Sequence, residues 1–207
     1  MALQTFVKIS GVTNLSDARY CAGMGVRVLG FVWEENHPQY VDPTTYTAIT
    51  EWLAGVAFAA EFEQYSPQQI ETALAQYPDV QYVQITNHQH VAPLQRLQKP
   101  LILRLEADAY ADIVGFADVM RDCHEDVTYF LIENTGSGNY QELQDDLLHL
   151  AQQYPILLGF GVEPDNARGL AQESALAGLA LRGGEEIKPG YRDFDTLADI
   201  LEAIEED

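Results

Sequence analysis

Eight short apolar runs, spaced about 20 to 28 residues apart and separated by stretches of helical periodicity, constrain this chain more than any other feature. They are Phe6 to Ile9, Val28 to Val32, Val56 to Phe62, Val80 to Ile85, Leu101 to Leu105, Thr128 to Ile132, Ile156 to Phe160 and Leu176 to Leu181. Each is rich in residues that favour a pleated strand. Between them the spacing predicts helices over 16–24, 43–54, 67–76, 90–97, 108–122, 139–153, 164–173 and 193–204. Asp42-Pro43, Ser66-Pro67 and Glu163-Pro164 place a polar side chain before a proline, whose missing N–H costs nothing in a first helical turn. The last helix carries Phe194, Leu197, Ile200, Leu201 and Ile204 on one face.

Strands that alternate with helices are parallel and joined by crossovers, and eight is the number at which such a sheet closes. The expected fold is therefore α/β, a single-domain (β/α)8 TIM barrel over residues 1–207 with short loops. An open doubly wound sheet is the alternative, but no Gly-x-Gly-x-x-Gly turn follows the first strand. No linker or low-complexity run divides the chain.

Thirty-two acidic residues against 11 basic ones give a net charge of -21, which repels a phosphate backbone and an anionic bilayer alike. Nucleic acid and membrane are excluded as partners on this ground. No segment approaches the roughly 18 apolar residues of a spanning helix, and the start has no signal-peptide run. A cytoplasmic protein, monomer or homodimer, is expected. Cys21 and Cys123 lie far apart without metal-ligand spacing and read as reduced, packed residues. No cofactor is called for.

In a barrel the reactive groups sit where strands end at their carboxyl side. That ring holds Ser10, Trp33, Glu61, Glu63, Thr86, Asn87, Arg104, Glu106, Glu133, Asn134, Gly159, Gly161, Arg182, Gly183 and Gly184. Glycines after strands 7 and 8 often present backbone N–H groups to phosphate, and Arg182 adds a fixed positive charge beside them. A small phosphorylated or anionic molecule is the expected partner; the alternative is that these glycines only make tight turns. Gly136-Ser137-Gly138 follows the sixth strand in the same way. Glu61, Glu106 and Glu133 either converge as acids or pair with Lys8 and Arg104. His37, His88 and His90 are loop histidines within reach of a base role, and Trp33 either stacks on a ligand or packs under its loop.

Several segments resemble the phosphoribosylanthranilate isomerase family. They are Val7-Lys8-Ile9-Ser10-Gly11, Gly30-Phe31-Val32-Trp33 with His37-Pro38-Gln39-Tyr40-Val41, Val83-Gln84-Ile85-Thr86-Asn87, Glu133 with the glycines after it, Gly159-Phe160-Gly161-Val162-Glu163-Pro164-Asp165-Asn166, and Leu179-Ala180-Leu181-Arg182-Gly183-Gly184 followed by Pro189-Gly190-Tyr191-Arg192-Asp193. The resemblance spans essentially the whole chain. It implies the fold above and an Amadori rearrangement in tryptophan synthesis, in which a base removes the C2' proton of an opened aminoaldose and an acid protonates the ring oxygen. It also implies the sites: Ser10 stands at the position of the cysteine base and Glu133 at that of the aspartic acid. Gln39 stands for the arginine that holds the anthranilate carboxylate, Thr86 and Ala180 for a histidine and an aspartate of the pocket, and Arg182 and Gly183 for two serines at the phosphate end. The altered positions are mostly chemical and the retained ones mostly scaffold, which implies weak or absent isomerase activity.

Overall fold

Along each strand one set of alternate side chains faces the surrounding helices and the other faces the barrel axis, and the sequence is written for that split. A computed structural model describes residues 2–77, 79–109, 113–134, 140–183, 186–188, 191–192 and 195–206. Its strands are β1 (Val7–Ser10), β2 (Val28–Val32), β3 (Ala57–Glu61), β4 (Tyr82–Ile85), β5 (Leu101–Glu106), β6 (Tyr129–Glu133), β7 (Ile156–Leu158) and β8 (Gly178–Arg182). All pair in parallel with their sequence neighbours, and β1 pairs with β8 to close the barrel, Ser10 lying opposite Arg182. The expected fold is the one observed.

Val7, Ile9, Leu29, Phe31, Val83, Leu103, Phe130, Ile132 and Leu179 belong to the large apolar shell between strands and helices. Ile102, Leu131, Leu157 and Ala180 form a separate cluster, with Phe6, Tyr82 and Tyr129 beneath it. This second cluster plugs the centre of the barrel, so polar inward-facing residues are confined to the carboxyl ends of the strands.

The helices are α1 (Leu15–Gly23), α2 (Pro43–Thr50), α3 (Pro67–Leu74), α4 (Val91–Leu94), α5 (Ile113–Cys123), α6 (Tyr140–Ala151), α7 (Ala167–Ala171) and α8 (Asp195–Ala203). Two of the expected starts are built as the sequence implies. The Asp42 carboxylate accepts from the Thr44 and Thr45 amides, and Ser66 forms a reciprocal capping box with Gln69. The third is not. Glu163 and Pro164 lie in a turn that Asn166 closes: its side-chain oxygen accepts from the Glu163 amide at 2.9 Å and its amide donates to the Gly161 carbonyl at 2.8 Å. Helix α7 consequently starts only at Ala167. The expected helix 90–97 is likewise one α-helical turn flanked by 3₁₀ turns, His88–His90 and Gln95–Leu97. An antiparallel pair not anticipated from the sequence, β9 (Glu186–Lys188) with β10 (Tyr191–Arg192), follows β8. Phe194, Gly184 and Gly136 to Gly138 lie outside the described residues.

Both cysteines are buried and unbridged, and burial pushes the Cys21 thiol up to about 12 and the Cys123 thiol up to about 11. Neither is thiolate at neutral pH, so both are packing residues. Among the described residues no helix is long and apolar enough to cross a membrane.

Candidate active site

The barrel mouth is crossed by two charge clusters. The first is built by β1, β2 and β3. Lys8 is fully buried, and its ammonium pairs with the Glu61 carboxylate and donates to Ser10 Oγ at 2.7 Å. The second Glu61 oxygen accepts from the Gly11 amide at 3.1 Å. The cluster fits because β2 offers Gly30 beside it: a Cβ there would overlap the Glu61 carboxylate and lie 2.9 Å from Lys8 Nζ. A glycine inside an otherwise apolar strand marks such a close approach, and that was the signal available in the sequence for this position.

The second cluster is organised by two arginines. Arg182, from β8, forks onto Glu133, with Nε to Oε1 at 2.9 Å and Nη2 to Oε2 at 2.6 Å. Arg104, from β5, reaches the same carboxylate through Nε while its other nitrogens bond Glu63 at 2.6 Å and Glu106 at 3.2 Å. Glu133 is buried, and Gly159 on the strand side of the next turn makes room for it, since a Cβ there would sit 3.0 Å from Glu133 Cγ. Burial alone would raise the Glu133 pKa, but the hydrogen bonds and charge of Arg182, joined by Arg104, outweigh it and hold the carboxyl below the usual range. Glu106 goes the other way. Desolvation, only partly offset by Arg104, raises its pKa, and its Oε1 is buried without a hydrogen-bond partner among the described residues.

The two shifts have opposite consequences for stability. The contribution of ionised Glu133 is present above the unfolded carboxylate value of about 4.3 and is lost as pH falls through its lower folded value. Ionisation of Glu106 weighs against the fold above about 4.3, and protonation relieves it. Unfolding by denaturant between about pH 6 and pH 3 should therefore show a shallower acid loss in Glu133→Gln than in the unaltered protein. An equal loss in both would show that the arginines do not depress this carboxyl.

The other candidates surround these clusters. Gln39 lies beside Gly11, whose added Cβ would be 2.8 Å from its Oε1. Thr86 donates its hydroxyl to the Glu63 carbonyl at 2.7 Å, and Glu63 in turn lies 3.9 Å from His37 Nε2. His37 Nδ1 accepts from the Gln39 amide at 3.1 Å, so in the neutral ring Nε2 carries the proton. That tautomer faces the mouth as a donor, not a base. Trp33 is buried and stacked on Tyr77 with centroids 3.7 Å apart, which is packing under its loop. His88 and His90 form the 3₁₀ turn after β4, where His90 meets Asn87.

Glu34 was not anticipated. Its buried Oε1 accepts from three successive amides, Glu63, Gln64 and Tyr65, at 2.7 to 2.9 Å. This carboxylate fixes the loop that delivers Glu63 to Arg104. Glu34→Ala should cost about 2 to 3 kcal/mol, the usual scale for hydrogen bonds to a charged group. Amide exchange at residues 63 to 65 should accelerate selectively, and unchanged exchange there would count against the role.

Beyond the ends of β7 and β8, Gly159, Phe160, Gly161, Leu181 and Arg182 line a cavity of about 270 Å³ that Glu163 also borders. Gly161 has φ +64°, a conformation that favours glycine, and it turns the chain between strand and loop. A cavity of about 400 Å³ adjoins it, reached by Asn134, Gln144 and Asn166. A third, of about 280 Å³, lies outside the mouth among Trp33, Tyr40, Tyr65 and Tyr77.

No family model matches the chain. The N-(5'-phosphoribosyl)anthranilate isomerase of Synechococcus sp. (strain JA-2-3B'a(2-13)) is 27% identical over 213 aligned residues, covering 96% of this chain and 90% of that protein. That of Synechococcus sp. (strain JA-3-3Ab) is 26% identical, with 97% and 91% covered. Over nearly its whole length the chain is similar to these phosphoribosylanthranilate isomerases. Solved structures of the family share its barrel. The enzyme from Thermotoga maritima superposes with a TM-score of 0.78 at 18% identity, over 97% of this chain and 98% of that one. A phosphoribosyl anthranilate isomerase in complex with reduced 1-(o-carboxyphenylamino)-1-deoxyribulose 5-phosphate gives 0.73 at 19% identity, with the same coverage. Set against the family, Ser10, Glu133 and Arg182 share one rim of the barrel, with Ser10 and Arg182 side by side on adjacent strands. The rim of this chain is occupied by its own ion pairs.

Proposed function

We propose that this barrel binds a small phosphorylated or otherwise anionic ligand at the loops after β7 and β8. We further propose that the rearrangement of N-(5'-phosphoribosyl)anthranilate, the reaction of its named relatives in tryptophan biosynthesis, is weak or absent in it. One observation carries the reading: Glu133, at the position of the acid, is ionised and held by both Arg182 and Arg104. A carboxylate in that state has no proton to give. Ser10, at the position of the base, is an alcohol that accepts from the Lys8 ammonium, and an alcohol ionises far above a thiol's value of about 8.5. Loss of a general base costs about 10²- to 10⁴-fold in rate, roughly 3 to 5 kcal/mol of barrier. Support for an anionic ligand comes from Arg182, whose side chain is half exposed and borders the cavity formed by the Gly159 to Gly161 turn.

A rebuilt isomerase site is the second reading, favoured by Glu106 at the same rim, whose pKa burial raises and whose Oε1 has no hydrogen-bond partner among the described residues. Steady-state turnover of phosphoribosylanthranilate separates the two. The first reading expects turnover at least about 10²-fold below that of a cysteine-bearing relative. Comparable turnover that Glu106→Gln abolishes and Glu133→Gln spares would overturn it in favour of the second.

A further inference from the structure

We propose that Arg182 is a shared arm: an anion arriving at the loops after β7 and β8 takes its guanidinium from Glu133, and Glu133 takes up a proton in exchange. The inference rests on the anion-binding reading above and adds to it how binding changes the acid. Arg182 stands at the boundary of two environments, its side chain half exposed while that of Glu133 is 6% exposed. Nε and Nη2 are spent on the carboxylate, and Nη1 has no partner among the described residues. A tetrahedral dianion in the cavity beside Gly159 and Gly161 offers the same fork a geometry it matches at least as well, with twice the charge.

Glu133 cannot follow the arm into water. Gly159, the residue after β7, packs against its Cγ without contributing a charge. The charged groups facing it are Arg182 from β8 and, from β5, Arg104 and Glu106. Without Arg182, a single guanidinium remains for three carboxylates, because Arg104 also serves Glu63 and Glu106. An additional dianion nearby tips the balance further, and a buried carboxylate in that field binds a proton. The proton offsets half of the charge that arrives: the dianion pairs with the guanidinium, and Glu133 loses its negative charge to a proton from solvent. The acid of the site is then loaded only when a ligand is present.

Linkage makes this measurable, since a proton taken up on binding means that binding tightens as pH falls, by up to about tenfold per pH unit for one proton. Sulfate is the probe, because it stays a dianion between about pH 5 and pH 7 and any proton uptake belongs to the protein. In the intact chain the sulfate dissociation constant should fall with pH on this slope. Glu133→Gln removes both the competitor for Arg182 and the proton acceptor, so it should bind sulfate at least about tenfold tighter at pH 7, with a flatter profile. Arg182→Ala should bind weakly at every pH, and Glu106→Gln should keep the slope. Absence of saturable sulfate binding in the intact chain would remove the anion-binding reading itself. Binding with equal slopes in the intact chain and Glu133→Gln overturns the shared arm alone. Should Glu133→Gln fail to fold, Arg182→Ala decides, and retained affinity and slope in it overturn the proposal.

Discussion

Alanine at Gly30 is expected to destabilise the barrel by about 3 to 5 kcal/mol, the cost of breaking a buried ion pair. The added methyl would occupy the space of the Glu61 carboxylate and press on Lys8. Lys8 is fully buried on β1, with the apolar plug beneath it and Ser10 and Glu61 bonded to its ammonium. Separation of the pair therefore leaves an ammonium with no water and no counter-ion. Against a typical domain stability of about 5 to 15 kcal/mol, such a loss lowers the urea midpoint by about a fifth or more, or prevents folding. Gly23→Ala is the matched control. It sits at the end of α1 with nothing within 4 Å of the added carbon, and should change the midpoint little. A midpoint for Gly30→Ala equal to that of the control would show that β2 adjusts and that the pair does not depend on this glycine.

The second large effect is a gain. Combining Ser10→Cys, Glu133→Asp and Arg182→Ser should raise kcat/KM for phosphoribosylanthranilate by about 10³-fold or more, a product of restored base and released acid. Lys8 assists, since an ammonium within hydrogen-bond reach of position 10 favours a thiolate there. Ser10→Cys alone should give much less, because the acid stays held by Arg182 and Arg104. Removal of Arg182 also frees room at the rim, while Arg104 still orients the shorter carboxyl. Steady-state kinetics on the single, double and triple variants would test this. If all of them match the unaltered chain, the ion pairs at the rim are not what limits the chemistry.

The strands were legible as short apolar runs rich in strand-favouring residues, and the closure followed from counting them. Asp42-Pro43 and Ser66-Pro67 were equally legible, since a cap is a local device. Glu163-Pro164 misled for the converse reason: Asn166 satisfies the backbone of that turn, a competition that no propensity within the segment reveals. Lys8, Glu61, Arg104 and Glu133 were visible as rim charges, but which carboxylate each cation takes depends on register across the sheet. Lys8 meets Glu61 two strands away, over a glycine. Glu34 escaped notice because its partners are main-chain amides, and these carry no sequence signature.

The placement of charge divides this molecule into two electrostatic regimes. The outer surface bears most of the net charge of -21, at separations that dissolved ions screen within about 10 Å at 0.1 M. Lys8, Glu61 and Glu133 are themselves buried, out of reach of that screening. Rising ionic strength accordingly relieves repulsion on the exterior while the polar heart of the barrel keeps its strength, so a concentrated brine is a milder environment for this chain than dilute buffer.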